Sequence, residues 1–221
     1  HFDVNPITTT LPRIESKPRT NKPWTAGITG NILNTNLQDA LFREASSTNT
    51  LATNEFALAY NPGVFVQYRT SRNWMWQADL YVNYTIRRSL GLYEELSFVE
   101  RTTELRYQRL HVYGGKLFPL SRAADNNNYI EMAIGIFASY LTSQEDYNNN
   151  TLINKTKQIG NWDFGADLEI GMIHNFERIS LAYGAQVNRG LINIMKEKNN
   201  SFWNRANTLS SGIYVRLGYR F

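Results

Sequence analysis

Counting back from residue 221, every second position is apolar or aromatic: Phe221, Tyr219, Leu217, Val215 and Ile213. Between them lie Arg220, Gly218, Arg216, Tyr214 and Gly212. A period of two puts the oily residues on one face of a strand and the charged ones on the other. The stretch 210–221 ends on an aromatic, as expected of a closing strand that lies against lipid. A soluble sandwich or a lipocalin-like barrel shows the same alternation, so the rest of the chain has to decide.

The pattern recurs seven more times. In 24–34, Trp24, Ala26, Ile28, Gly30 and Ile32 share a face. In 56–69, Leu58, Tyr60, Pro62, Val64, Val66 and Tyr68 do so, and Pro62, which cannot donate to a ladder, predicts a bulge nearby. The clearest strand is 74–87. Trp74, Trp76, Ala78, Leu80, Val82, Tyr84 and Ile86 are expected outside, and Met75, Gln77, Asp79, Tyr81, Asn83, Thr85 and Arg87 inside. It outruns the five or six residues typical of soluble strands and suits a tilted membrane strand of about 9–11 residues with ends beyond the hydrocarbon. Strand 103–116 alternates out of step between Glu104, Arg106, Gln108 and Leu110, Val112, which predicts a register shift. Strands 129–141, 160–173 and 177–188 follow, with His174 and Asn175 placed in a turn. Long polar loops are expected at 35–54, 89–101, 142–158 and 190–206, and shorter turns at the other end. Residues 1–23, with Pro6, Pro12, Pro18 and Pro23, read as an extended periplasmic leader or linker, and 24–221 as the barrel.

Composition sharpens this reading. No run of eighteen apolar residues is present, so a transmembrane helix is not expected, whereas alternating strands hide from hydropathy averages. Aromatics make up 13% of 221 residues, as in barrels with aromatic girdles. There is no cysteine, which removes disulfides and thiolate metal sites. The charge of +4 is spread along the chain, so no nucleic-acid partner is expected. The sequence opens at His1 without a charged start and apolar core, so a signal peptide was removed or the chain continues from a longer one.

The fold class expected is all-β: an eight-stranded, antiparallel, up-and-down transmembrane β-barrel. The face shared with Arg220 then becomes the lumen. It collects Arg69, Asp79, Arg87, Arg109, Glu131, Asp163, Asp167, Glu169, Arg216 and Arg220, with both signs in similar numbers. An eight-stranded barrel is just wide enough to be filled by its side chains, so these charges should pair as a structural plug. Tyr219 and Phe221 form the expected C-terminal barrel signal. His1, His111 and His174 have no metal-site spacing, and no nucleophile–base–acid motif surrounds His111. Neither a cofactor nor enzymatic activity is expected. A small porin or a lipid-acting barrel enzyme using His111 stand as alternatives.

The segments 109–120 (RLHVYGGKLFPL), 129–141 (YIEMAIGIFASYL) and 164–172 (FGADLEIGM) resemble successive strands of the Bacteroidetes PorT-like outer-membrane β-barrels. Tyr183, Gly190, Leu191 and Asn193 resemble that family's Tyr–Gly-Leu-x-Asn pattern, and SGIYVRLGYRF resembles its closing strand. The resemblance covers 24–221 diffusely. It departs at Tyr113-Gly114-Gly115, where the family has an aliphatic stretch. It implies an integral outer-membrane barrel with both termini periplasmic and no catalytic residues. It further implies an accessory role in an envelope assembly, protein secretion of type IX or outer-membrane biogenesis, with lipid and other envelope proteins as partners.

Overall fold

The computed structural model describes residues 22–39, 52–55, 57–94, 97–121, 127–149, 151–154, 159–192, 194 and 206–221. Most of the expected leader, residues 1–21, lies outside them. The described residues form ten strands: β1 (Trp24–Asp39), β2 (Ala52–Glu55), β3 (Leu58–Arg69), β4 (Trp74–Glu94), β5 (Ser97–Pro119), β6 (Asn128–Asn148), β7 (Thr151–Asn154), β8 (Trp162–Asn175), β9 (Ile179–Gly190) and β10 (Ala206–Arg220). Eight of them close a ring in the order β1, β3, β4, β5, β6, β8, β9, β10, every pair antiparallel. The first and last strands seal it, from Thr25 opposite Arg220 to Asp39 opposite Ala206. Closure leaves no unpaired edge around the wall, which a strand needs in hydrocarbon. β2 and β7 are short additions to the far ends of β4 and β6.

At one end the connections are short. Residues 70–73 turn tightly, with Thr70 N donating to Trp74 O at 2.8 Å. Asn73 there adopts φ 61, a left-handed geometry that Asn tolerates. Residues 176–178 connect β8 to β9 at the same end, so His174 and Asn175 end a strand rather than form the turn. At the far end the structure replaces two expected loops with strand. β4 runs 21 residues, β5 23 and β6 21, so much of 89–101 and 142–148 is laddered hairpin. Beyond the bilayer both faces of a hairpin meet water, and the alternation that marks a strand fades there.

The irregularities differ from expectation. Pro62 sits opposite Gly30 in an unbroken register with β1, without the expected bulge; the ladder from β3 to β4 begins one residue later, at Gly63. The break lies on β4: Tyr81 pairs with Arg109 and Tyr84 with Tyr107, so Val82 and Asn83 face Gln108 alone. That extra residue reverses the parity of β4. Tyr84 and Ile86, expected outside, are buried inside, while Asn83 and Arg87, expected inside, lie on the outer face. The shift expected on β5 falls at its level but on β6, where Thr142 is the extra residue between Ser143 (opposite Arg106) and Leu141 (opposite Tyr107).

The direction of the two faces is unambiguous. Trp76, Leu80, Ile134 and Leu217 are 59%, 45%, 69% and 47% exposed, whereas Asp79 and Glu131 are 0% and Arg216 1%. Outward apolar runs cover 24–32 on β1, 74–82 on β4, 110–118 on β5, 130–140 on β6 and 213–221 along β10 and the residue after it. Each spans about 9–11 residues, the reach of one tilted membrane strand. Aromatics cluster at the two edges of this belt. Trp24 and Tyr68 lie 4.7 Å apart toward the short turns, and toward the far end Trp162 stacks on Phe164 and meets Tyr140 edge-on. In water such a continuous apolar surface would drive aggregation. The barrel is therefore one that lies in a membrane.

Candidate functional site

The site that the fold builds is the charged lumen. The alternation of β10 aims Arg216 inward, and three other strands bring carboxylates to it. Its Nη1 donates to Glu131 Oε1 at 2.7 Å, its Nη2 donates to Glu169 Oε2, and its Nε lies 3.7 Å from Asp79 Oδ2. Tyr214 Oη donates to the same Glu131 oxygen at 3.1 Å. Asp79 is held by Gln77, whose Nε2 donates to it at 2.8 Å, and Gln77 in turn accepts from Gln67. A buried carboxylate without partners would cost several kcal/mol or so, and Arg216 offsets part of that for the three around it.

A second centre lies nearer the far end. Arg109 donates through Nε to Ser139 Oγ at 2.6 Å and through Nη2 to Asp163 Oδ2 at 3.3 Å. Its guanidinium lies 3.9 Å from the centre of the Tyr84 ring and 4.0 Å from that of Phe137. Thr208 Oγ1 also donates to Asp163, at 2.8 Å. Another carboxylate, Asp167, has its Oδ2 2.7 Å from His111 Nδ1, and the Tyr113 hydroxyl is 3.0 Å from the same nitrogen.

The predicted lumen residues thus fall into three groups. Asp79, Glu131, Asp163, Asp167, Glu169 and Arg216 meet in the buried middle, joined by Arg109. Arg69 and Arg220 line the short-turn mouth instead. Arg69 donates to Asn73 Oδ1 at 2.6 Å and stacks 4.0 Å from the centre of the Tyr129 ring, and Arg220 points toward Phe176 O. Arg87 is outside altogether, 2.7 Å from Glu104 Oε2 above the belt, because the β4 bulge turned it round. The near balance of signs expected for the lumen therefore does not hold in its middle. Five carboxylates there face two guanidiniums and His111. His111 and the inward tyrosines Tyr81, Tyr84, Tyr107, Tyr113 and Tyr214 were not among the site residues expected. Parity with Arg109 and Arg216 marks His111, Tyr113 and Tyr214, whereas Tyr84 requires the bulge.

The middle of the bore is crowded with large buried side chains. Arg109, Arg216, Tyr81, Tyr84, Tyr107, Tyr113 and Tyr214 are its largest fully enclosed side chains. Glycines make room for the rings. Gly135 lies opposite Tyr113, and a Cβ added to it would stand 2.5 Å from that ring. Tyr219 and Phe221, the expected C-terminal signal, point outward into the apolar belt, and the Phe221 backbone exchanges hydrogen bonds with Trp24. Among the described residues no cluster of His, Asp or Glu has the arrangement of a metal site.

No protein-family model matches the chain, and no curated protein matches it. Several solved structures are distantly similar to it. OprG from Pseudomonas aeruginosa is 12% identical, with 90% of this chain and 97% of that one covered and a TM-score of 0.44. Ail of Yersinia pestis, crystallised with a heparin analogue, is 8% identical, with 90% and 99% covered and a TM-score of 0.41. The Escherichia coli outer membrane protease OmpT is 12% identical, with 94% and 99% covered and a TM-score of 0.33. Likenesses this distant say nothing about activity, and the fold rests on the ladders themselves. The chain is an integral β-barrel of the outer-membrane type: closed, eight-stranded, antiparallel, with an apolar outer wall.

Proposed function

We propose that this barrel sits in the bacterial outer membrane and serves as a structural or accessory subunit of a larger envelope assembly. The observation that carries this reading is the crowded lumen. Arg216, Arg109 and five buried tyrosines crowd the middle of the bore, so the contact surfaces are taken as the useful parts. The long β4–β5 and β6–β7 hairpins stand well beyond the apolar belt and supply rigid surface for a partner. The sealed position of His111 supports a role without turnover, since a lipid ester cannot reach a fully buried imidazole.

Within this reading the chain is PorT-like, with both termini periplasmic, and protein secretion of type IX or outer-membrane biogenesis is the context. The segments that resemble that family fall on β5, β6, β8, β9 and β10, consecutive around the wall, although Asn193 of the Tyr–Gly-Leu-x-Asn pattern lies outside the described residues. The test is capture of the tagged barrel from gently solubilised membranes after cross-linking. Stoichiometric envelope partners are expected, and recovery as a lone monomer overturns the reading. Planar-bilayer recording separates the porin alternative: steady conductance steps would favour it, and silence is expected.

A further inference from the structure

The two edges of the apolar belt treat their cations differently. At the far edge, Arg87 and Arg106 are both paired to Glu104, at 2.7 and 2.8 Å, and Arg106 also approaches Glu145 at 3.6 Å. At the short-turn edge, Lys22, Arg72, Lys116 and Arg178 have no carboxylate within ion-pair distance among the described residues. Two of them, Lys116 and Arg178, are held by aromatic and backbone groups instead. Lys116 lies on an outward position of β5, 4.8 Å from the centre of the Trp74 ring, and its Nζ bends toward the turn to donate to Arg72 O at 2.8 Å. Arg178 Nη1 donates to the outward-facing Tyr219 hydroxyl at 3.1 Å. Lys22 lies two residues before Trp24 of the Trp24–Tyr68 pair. Around the ring these stations fall on β9, β10, β1, β3, β4 and β5, which are consecutive neighbours. Behind them, Arg69 and Arg220 line the mouth, also without a carboxylate partner among the described residues. Glu177 is the acid that the described turns contribute at this edge.

A bent lysine over a tryptophan, next to an aromatic girdle, is how a cation at the rim of the hydrocarbon reaches the headgroup layer. Uncompensated cations in that layer attract phosphate. We propose that this arc is a docking surface for the phosphate groups of anionic phospholipid headgroups, held in the leaflet at the short-turn end. At the far edge Glu104 and Glu145 neutralise Arg87 and Arg106, and outward Arg189 is left without an ion pair among the described residues, so the preference there is weaker. The inference rests on the membrane-barrel fold alone, so it stands or falls separately from the assembly role.

The test is native mass spectrometry of the full-length barrel in detergent, titrated with phosphatidylglycerol and, separately, phosphatidylcholine. Preferential retention of phosphatidylglycerol is expected, weakening with added salt. The triple variant Arg72→Gln, Lys116→Gln, Arg178→Gln should lose that preference, by about five-fold per cation removed. The far-edge variant Arg87→Gln, Arg106→Gln should keep it, and Lys116→Arg should keep it as well. Heat-modifiable gel migration confirms that each variant is folded. Should any variant not fold, its single substitutions are titrated instead, each expected to lose about five-fold. Equal retention of the two lipids by the parent chain overturns the proposal. So does a preference unchanged in the folded triple variant or in its single substitutions, or one lost equally at the far edge.

Discussion

The Arg216 hub and the Arg87–Glu104–Arg106 cluster use the same chemistry, guanidinium against carboxylate at hydrogen-bond distance. Their surroundings make them opposites. Arg216 is sealed inside the wall with three carboxylates around it, while Arg87 and Arg106 have side chains 46% and 40% exposed. In the lumen water cannot screen or replace a lost partner, so each group depends on the others. Outside the belt, water reaches both arginines when a pair breaks, so the net value of the pair is smaller, although the Glu104 side chain itself is 8% exposed. The comparison teaches where this barrel keeps its stability: in the bore, rather than in the larger number of ionic groups at its ends.

The largest expected effect follows from breaking the hub. Arg216→Met strands Asp79, Glu131 and Glu169 without their cation and should cost about 3–5 kcal/mol, read by urea unfolding in micelles or as failure to fold. Adding Glu131→Gln and Glu169→Gln should recover part of the loss; no recovery would mean that Arg216 acts through packing rather than charge. Next comes the wall itself. Ile134→Arg, in the middle of the belt, should cost about 2–4 kcal/mol, whereas Thr142→Arg above it should cost about 0–1 kcal/mol. Equal costs would show that the belt has been placed wrongly.

A smaller effect is expected from overfilling the bore. Gly135→Val pushes a side chain into the Tyr113 ring and the Val112 carbonyl and should destabilise by about 1–3 kcal/mol. The companion substitution Tyr113→Ala, tested in a double-mutant cycle, should relieve it. Smallest of all, Glu104→Gln weakens both pairs at once, and because their arginines reach water it should cost about 1 kcal/mol. A loss near that of Arg216→Met would erase the distinction between the two sites.

Much of the barrel was legible before its coordinates. The outward sets on β6, β8 and β10 follow from period-two alternation, and so does the inward line of Asp79, Glu131, Glu169 and Arg216. The misreadings share one cause: they concern places where a strand depends on its neighbour. Arg87 could not be put outside without knowing that Val82 and Asn83 oppose a single residue of β5. Pro62 suggested a bulge because a proline breaks ladders, yet its ladder to β4 had not begun. The 89–101 and 142–148 stretches read as loops because nothing apolar marks a strand that has left the bilayer.

The chain by itself determined which residues alternate and therefore which side of each strand is oily, because that period is a property of neighbouring residues. It did not determine that Arg216, Glu131, Glu169 and Asp79, drawn from β10, β6, β8 and β4, would meet at one point. That meeting depends on the stagger between strands as the wall closes on itself, and on one extra residue in β4 and another in β6. Stagger is set by pairing across the whole ring, so only the tertiary structure could decide it.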